Sequence, residues 1–475
     1  MLFNSIEFLI FLPIVFALYW LLNKKSLTFQ NVLLLVASYF FYACWDWRFL
    51  FLLMFSTGLD YYTGIKMFDA KTESNKKFWF WLSIIVNVGF LGVFKYYNFF
   101  AESFAQLLSG FGLQVNIWVL EVILPVGISF YTFHGLSYVI DIYKNRIEPE
   151  RNIVDYSLFV AYFPLLVAGP IERATHLLPQ IKKRRIFNNK QAIQGIKQII
   201  FGLFKKVVIA DNCAFFVNQI FENSSGYSSS ELWLGSILFA FQIYGDFSGY
   251  SDIALGTSKL FGITLLRNFN FPYFAKDIAD FWRRWHISLS TWFRDYLYIP
   301  LGGSRVSKLL SVRNTFIIFL VSGFWHGANW TFIVWGLIHA LLFLPLLLTN
   351  KNRKSLSDVG YKFSDVPKIV LTFLFVCLAW VFFRADNIES AVNYIMGMFD
   401  FSNLSVKLFL KNSKYILLTA ICFISIFYLL LIEWNNVRKN NFEIKISKYT
   451  IVALLFMIFF MGAFKNQMSF IYFQF

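Results

Sequence analysis

Residues 313–349 read RNTFIIFLVSGFWHGANWTFIVWGLIHALLFLPLLLT, in which Arg313 is the only lysine, arginine, aspartate or glutamate. A single bilayer crossing uses about 20 apolar residues. The run is long enough for two, and Pro345 near its end marks a kink or boundary. It also holds two of the five histidines, His326 and His339. Ionisable groups at bilayer depth cost roughly 2.5–3.5 kcal/mol on insertion scales for Arg, Lys or Asp, so they pair, face a cavity or do work.

The rest of the chain agrees with a lipid solvent. Of 475 residues, 58% are hydrophobic and 15% charged, too little polar surface for a soluble domain of this size. Further apolar runs lie near 6–22, 29–44, 49–68, 78–94, 96–113, 115–140, 191–210, 229–250, 366–384, 413–432 and 448–464. Together they predict roughly ten to twelve crossings. The 61 Phe, 24 Tyr and 15 Trp suit lipid-facing helices and interfacial aromatic belts.

A formal charge of +16 would suit nucleic acid if it lay on a soluble face. Instead the basic residues cluster between apolar runs, at Lys24 with Lys25, Lys71 to Lys77, Lys182 to Arg185, Lys351 to Lys354, and Arg438 with Lys439. Such clusters read as cytoplasmic loops beside anionic headgroups, which makes the bilayer the partner and argues against nucleic acid. Cys44, Cys213, Cys377 and Cys422 stand singly, without C-x-x-C or metal spacing. The run at 6–22 precedes its basic pair and lacks a small-residue cleavage site, so it reads as a retained first span with the N-terminus outside. No repeat, linker or soluble segment divides the chain, and residues 1–475 read as one membrane domain.

Two stretches differ from ordinary spans by mixing apolar residues with Gly, Pro and charge: 153–181, containing FPLLVAGPIER, and 269–305, containing FPYFAKDIADFWRRWHISLSTWFRDYLYIPLGG. Irregular or charged backbone at membrane depth survives only inside protein or along a wet cavity. Both are therefore expected to be re-entrant or surface-lying elements around a site.

His326 is the sharpest candidate within it. Gly323 and Gly327 flank it, leaving room for another group to approach a neutral imidazole that can take a proton from a hydroxyl. A histidine bonded to a neighbouring helix would read the same way. His286 follows Arg283 and Arg284 and precedes Arg294 and Asp295, a cluster able to hold a phosphate-bearing donor or to anchor an interfacial helix to headgroups. His339 reads as structural, and His134 and His176 carry less signal still. Asp246 and Asp252 are about 600° apart on one helix, so they are not a paired-carboxylate site. Their expected role is polar packing, with Asp246 also able to line a cavity. The chain has no G-x-S-x-G elbow, P-loop or H-E-x-x-H.

These residues resemble the membrane-bound O-acyltransferase family, specifically its AlgI-like alginate O-acetyltransferase branch. The likeness is carried by SIEFLIFLPIVFALYW at 5–20, LPVGISFYTFHGLSYVIDIY at 124–143, FPLLVAGPIERATHLLPQ at 163–180 and FQIYGDFSGYSDIALG at 241–256. WRRWHISLSTWFRDYLYIPLGG at 282–303, SGFWHGANWTFIVWGLIHA at 322–340, WVFFRA at 380–385 and FIYFQF at 470–475 complete it. Gly245 departs from the bulky aromatic expected before the aspartate of DFSGYSD.

The resemblance implies an all-α polytopic protein, a ring of tilted helices around a thin, funnelled centre. It implies that His326 is the catalytic histidine and His286 the second active-site histidine; Trp325, Asn329, Asp246, Arg283, Arg284, Arg294 and Asp295 are the candidate substrate contacts around them. It implies no bound cofactor or metal, and a cytoplasmic acyl donor such as acetyl-CoA or an acyl-carrier thioester. It further implies a bacterial inner-membrane location, an extracytoplasmic SGNH/GDSL-like acetyltransferase partner and a polysaccharide synthase or export complex, as in alginate or another exopolysaccharide. Peptidoglycan or teichoic acid is the alternative acceptor, and a transporter the alternative class. Tyr472 in the FIYFQF motif is a candidate acyl relay, since a phenol beside a general base becomes a usable nucleophile; an interfacial aromatic anchor is the alternative.

Overall fold

Lipid offers a peptide group nothing to bond to, so each apolar run must satisfy its own N–H and C=O groups, and here it does so as helix. The computed structural model describes residues 1–22, 26–113, 124–167, 169–353, 360–439, 445–464 and 470–471. Lys24, Lys25, Lys354 and Tyr472, and the start of the run expected at 115, lie outside the described residues. The chain groups into two units, residues 1–193 with 257–266, and 194–256 with 267–475.

The first unit begins with α1 (Ile6–Leu22), α2 (Leu27–Ala43) and α3 (Trp47–Phe68). The Ser26 hydroxyl and the Asp46 carboxylate cap the N-termini of α2 and α3, each satisfying an otherwise unpaired N–H. α4 (Glu73–Leu91) runs through a π segment (Gly92–Tyr96) into α5 (Tyr97–Gly110). The two runs expected at 78–94 and 96–113 are thus one continuous helix of 38 residues, because no proline or capping residue separates them. At 1.5 Å per residue it is about 57 Å long, more than the ~30 Å hydrocarbon core.

Asp60 on α3 is buried and accepts from Ser83 Oγ at 2.6 Å and Asn87 Nδ2 at 2.8 Å on α4. α6 (Ile128–Tyr143) follows, and the expected irregular stretch 153–181 forms three short helices, α7 (Ile153–Ala161), α8 (Phe163–Leu166) and α9 (Ala174–Ile181). Glu172 ties this region together. Its N–H donates to His134 Nε2 at 3.1 Å, its Oε2 meets His176 Nδ1 at 2.7 Å, and its Oε1 accepts from Leu266 N–H at 2.5 Å. His134 and His176 both serve here as hydrogen-bond partners of Glu172.

α10 (Asn189–Leu203) leads into the second unit, where a π segment (Phe204–Ala210) is followed by α11 (Asp211–Glu222) and α12 (Ser229–Leu260). The expected irregular stretch 269–305 holds the short helices α13 (Ile278–Arg284) and α14 (Ile287–Phe293) and a π turn, Arg294–Tyr298. The run 313–349 forms two helices, α15 (Lys308–His326) and α16 (Trp330–Leu348). Gly327 is extended, Asn329 caps α16 by accepting from Thr331 N–H, and Pro345 falls in the last turn of α16. α17 (Val366–Arg384), α18 (Ile388–Met398), α19 (Ser413–Arg438) and α20 (Lys448–Met461) complete the unit.

The chain is an all-helical, multi-pass membrane protein. Among the described residues, five helices are long and apolar enough to cross a bilayer: Glu73–Gly110, Lys308–His326, Trp330–Leu348, Phe363–Arg384 and Ser413–Arg438. α1, α2 and α20 are apolar but shorter.

Candidate active site

The second unit contains a buried ionic layer on which the site rests. Gly245 on α12 faces the backbone of the π segment, and a Cβ there would lie 2.8 Å from the Lys205 carbonyl oxygen. The bulky aromatic expected at this position cannot fit, and the resulting close approach brings two lysines onto α12. Lys206 Nζ lies 2.8 Å from both Asp211 Oδ1 and Asp246 Oδ1. Lys205 pairs with Asp252 and donates to Ser248 Oγ at 2.9 Å, and Asp252 also accepts from Gln198 Nε2 at 2.9 Å. Buried charges persist only when paired in this way. Asp246 and Asp252 are not a carboxylate pair: Asp246 pairs with Lys206, which it shares with Asp211, and Asp252 with Lys205.

Above this layer the two leading histidines share one aromatic cluster. His286 sits at the turn between α13 and α14 with a left-handed φ of 43° and is fully buried. Its Nδ1 lies 3.0 Å from Asn268 Oδ1, and its ring stands 4.7 Å from that of Phe247 and 6.0 Å from that of Trp325. His326 is the last residue of α15, also buried, with its ring 4.9 Å from Trp325, 5.1 Å from Trp335 and 5.3 Å from Phe383. The indole of Trp325 therefore touches both imidazoles. His339 belongs to the same cluster, enclosed by Phe281, Trp282, Phe319 and Trp335, and its Nδ1 accepts from Trp282 Nε1 at 3.3 Å.

A cavity of about 230 Å³ lies along α15. Thr315, Phe319 and Ser322 form its α15 wall, and Ser322 stands one turn before His326 on the same helix face. Arg294 and Arg353 also line it, and Arg353 Nη2 donates to Ser304 Oγ at 3.0 Å. A second cavity, about 260 Å³, is lined by Glu222, Arg384 and Asp386 among others. Arg384 directly follows Phe383, the ring in contact with His326.

The remaining sequence candidates divide clearly. Arg294 faces the first cavity and pairs with half-exposed Asp295 at 2.8 Å. Arg283 donates to the Asn352 carbonyl at 2.9 Å, and Arg284 pairs with Asp280 at 2.9 Å. Asn329 is spent on capping α16 and on the Asp386 carbonyl at 2.7 Å. Asp246 accepts from the Ile471 N–H at 2.6 Å as well as pairing with Lys206. Lys205, Lys206, Asn268 and Glu433, whose Oε1 accepts from Tyr244 Oη at 2.5 Å, were not singled out from sequence. The consecutive lysines inside the apolar run 191–210 were the available signal, since intramembrane charge needs a partner.

Residues 148–392 match the model of the MBOAT, membrane-bound O-acyltransferase family. A peptidoglycan O-acetyltransferase of Helicobacter pylori is 39% identical over 86% of this chain and 81% of its own length. A probable alginate O-acetylase AlgI of Pseudomonas aeruginosa is 40% identical over 84% of this chain and 75% of its own. A teichoic acid D-alanyltransferase of Bacillus subtilis is 29% identical over 54% of this chain and 68% of its own. With the motif histidines gathered in one buried cluster and relatives of this similarity along most of its length, the chain is an acyltransferase and belongs to the membrane-bound O-acyltransferase family.

Proposed function

We propose that the protein moves an acetyl group from a cytoplasmic thioester to the outer face of a bacterial inner membrane for O-acetylation of an exopolysaccharide of the alginate kind, with residues 1–475 acting as one membrane domain. The observation that carries this reading is the cavity whose α15 wall ends one turn before His326 while Arg294 and Arg353 line it. Arg305, Lys308 and Arg313 surround the start of α15, Lys351 and Arg353 follow α16, and Lys362 and Lys368 flank the start of α17. By the positive-inside rule that end is cytoplasmic, and the N-terminus of the chain is outside. His326 closes α15 at the other end, about 27 Å from Lys308 at helical rise.

In this mechanism the guanidinium groups hold the phosphate-bearing end of acetyl-CoA or an acyl-carrier arm. A nitrogen of His326 takes the proton of the accepting hydroxyl as its oxygen attacks the thioester carbonyl. The tetrahedral adduct collapses with cleavage of the C–S bond, and the leaving thiolate recovers the proton from the imidazolium. His286 assists by hydrogen bonding. No cofactor is required, because the thioester carries the activated acyl group.

The acceptor on this chain is Tyr472, which passes its ester to an extracytoplasmic SGNH/GDSL-like partner beside a polysaccharide synthase or export complex. Its two preceding residues support this role. Phe470 and Ile471 are buried, the Phe470 ring lies 4.7 Å from Tyr250 and 6.0 Å from Phe247, and Phe247 in turn touches His286. The similarity to a peptidoglycan O-acetyltransferase favours peptidoglycan as the second reading of the final acceptor.

His326→Ala, purified and reconstituted with radiolabelled acetyl-CoA or acetylated carrier, is expected to lose transfer by at least about 100-fold at unchanged thermal stability. Wild-type turnover in that variant would overturn the mechanism. Label recovered on Tyr472 by peptide mass spectrometry would support the relay, and label passing to polymer with Tyr472→Phe would reject it.

A further inference from the structure

We propose that Asn268 is a positioning residue for acyl transfer: its carboxamide oxygen holds His286 as the Nδ1–H tautomer, so that His286 acts through Nε2 as a hydrogen-bond acceptor. The inference rests on the reading of His286 as an active-site group.

Three donors converge on one oxygen. Asn268 Oδ1 lies 3.0 Å from His286 Nδ1, 3.0 Å from Ser288 Oγ and 3.4 Å from Ser288 N. The Ser288 amide can only donate, which identifies the atom facing it as the carboxamide oxygen, and an oxygen without a proton obliges Nδ1 to carry one. In the neutral ring the lone pair then belongs to Nε2.

The backbone holds this orientation. Ile287 N–H donates to the Asn268 carbonyl at 2.9 Å, and Asn270 N–H donates to the Arg284 carbonyl at 2.9 Å. Residues 268–270 thus brace both sides of a turn whose His286 has a left-handed φ of 43°, a conformation costing on the order of 1–2 kcal/mol for a non-glycine residue. Around the ring stand Phe247 from α12, Trp325 from α15, and Asn268 and Ser288 beside its own turn. None of these four carries charge.

The test compares Asn268→Ala and Asn268→Asp in the full-length, reconstituted protein. Asn268→Ala is expected to lower kcat about 10- to 100-fold with little change in KM for the donor. Asn268→Asp keeps the acceptor, so it should retain more activity than the alanine variant. Its added carboxylate favours the imidazolium form, moving the acid limb of the kcat–pH profile about one pH unit or more to the alkaline side. Histidine-selective ¹⁵N spectra, assigned by comparison with His286→Gln, should show a protonated Nδ1 in the neutral ring of the wild type, independently of turnover. A proton on Nε2 in that spectrum would overturn the proposal, as would full kcat in Asn268→Ala or equal inactivity of both variants with an unmoved acid limb. Activity persisting in His326→Ala would instead reject the proposed chemistry and leave the tautomer assignment standing.

Discussion

Lys206 shows what a single buried charge costs in this fold. Its ammonium group neutralises two carboxylates, Asp211 and Asp246, at 2.8 Å each, and all three side chains are almost wholly buried. Lys206→Met strands both carboxylates, so it should destabilise the protein by about 3–5 kcal/mol, read as a fall in thermal midpoint in detergent. Adding Asp246→Asn should recover part of that loss, and an unaltered midpoint in the single variant would show that the pairing carries no stability. His176 gives a smaller, pH-dependent case outside the membrane spans. Its hydrogen bond to Glu172 favours the imidazolium and raises its pKa above the usual 6.5. The bond's contribution is therefore complete below about pH 6.5 and fades as pH rises through the higher folded value. Because the ring is 36% exposed, screening keeps the effect below about 1 kcal/mol. Thermal midpoints measured from pH 6 to 9 should fall more steeply in the wild type than in His176→Gln. At this scale the sequence exposed His326 and His286 through their unusual surroundings and signalled Lys206 by its charge inside an apolar run, yet concealed Asn268 and the pairing of Lys206 with Asp246. Both depend on partners 18 and 40 residues away, which no local pattern reveals.

Among helices, the pairing of α15 with α16 depends on glycine. A Cβ at Gly323 would lie 2.2 Å from the Phe332 carbonyl oxygen, and one at Gly336 would lie 2.3 Å from that of Phe319. Backbone faces backbone at both points, so neither contact can be relieved by turning a side chain. Small residues permit this approach, which supplies the dispersion contact that holds helices together in lipid. Gly323→Ala should force the helices apart at a cost of about 1–3 kcal/mol and carry His326 with them. Transfer should fall further than stability alone explains when measured well below the thermal midpoint; wild-type kcat there would show that the crossing does not set the histidine's position. That the run holds two helices was legible from its length, whereas their break at Gly327 to Asn329 was not: the breaker read from sequence, Pro345, falls in the last turn of α16. The junction of α4 with α5 was not legible either, because a π segment adjusts the helix without a sequence breaker. The short helices in 153–181 and 269–305 announced their irregularity through Gly, Pro and charge, while their packing depended on contacts beyond each stretch.

At the scale of the whole molecule, the proposed enzyme takes its sidedness from an asymmetry of charge. In the proposed topology the basic residues at the start of α15, after α16 and around the start of α17 lie on one aqueous side, and the ends bearing His326 and Arg384 on the other. That proposal rests on the basic clusters of the sequence; the number of crossings was not legible there, because α1, α2 and α20 are too short to be decided by length and apolarity. Lys351 after α16 and Glu389 on α18 are exposed and bracket α17. Starting from a Cys44→Ser background, in which Cys213, Cys377 and Cys422 remain buried, Lys351→Cys and Glu389→Cys provide single reporters. In sealed right-side-out vesicles a membrane-impermeant maleimide should modify position 389, and position 351 only after the membrane is opened. Labelling of both from the same side would place both ends of α17 in one compartment. A thioester from the cytoplasm and an acceptor outside would then have no route to a common histidine.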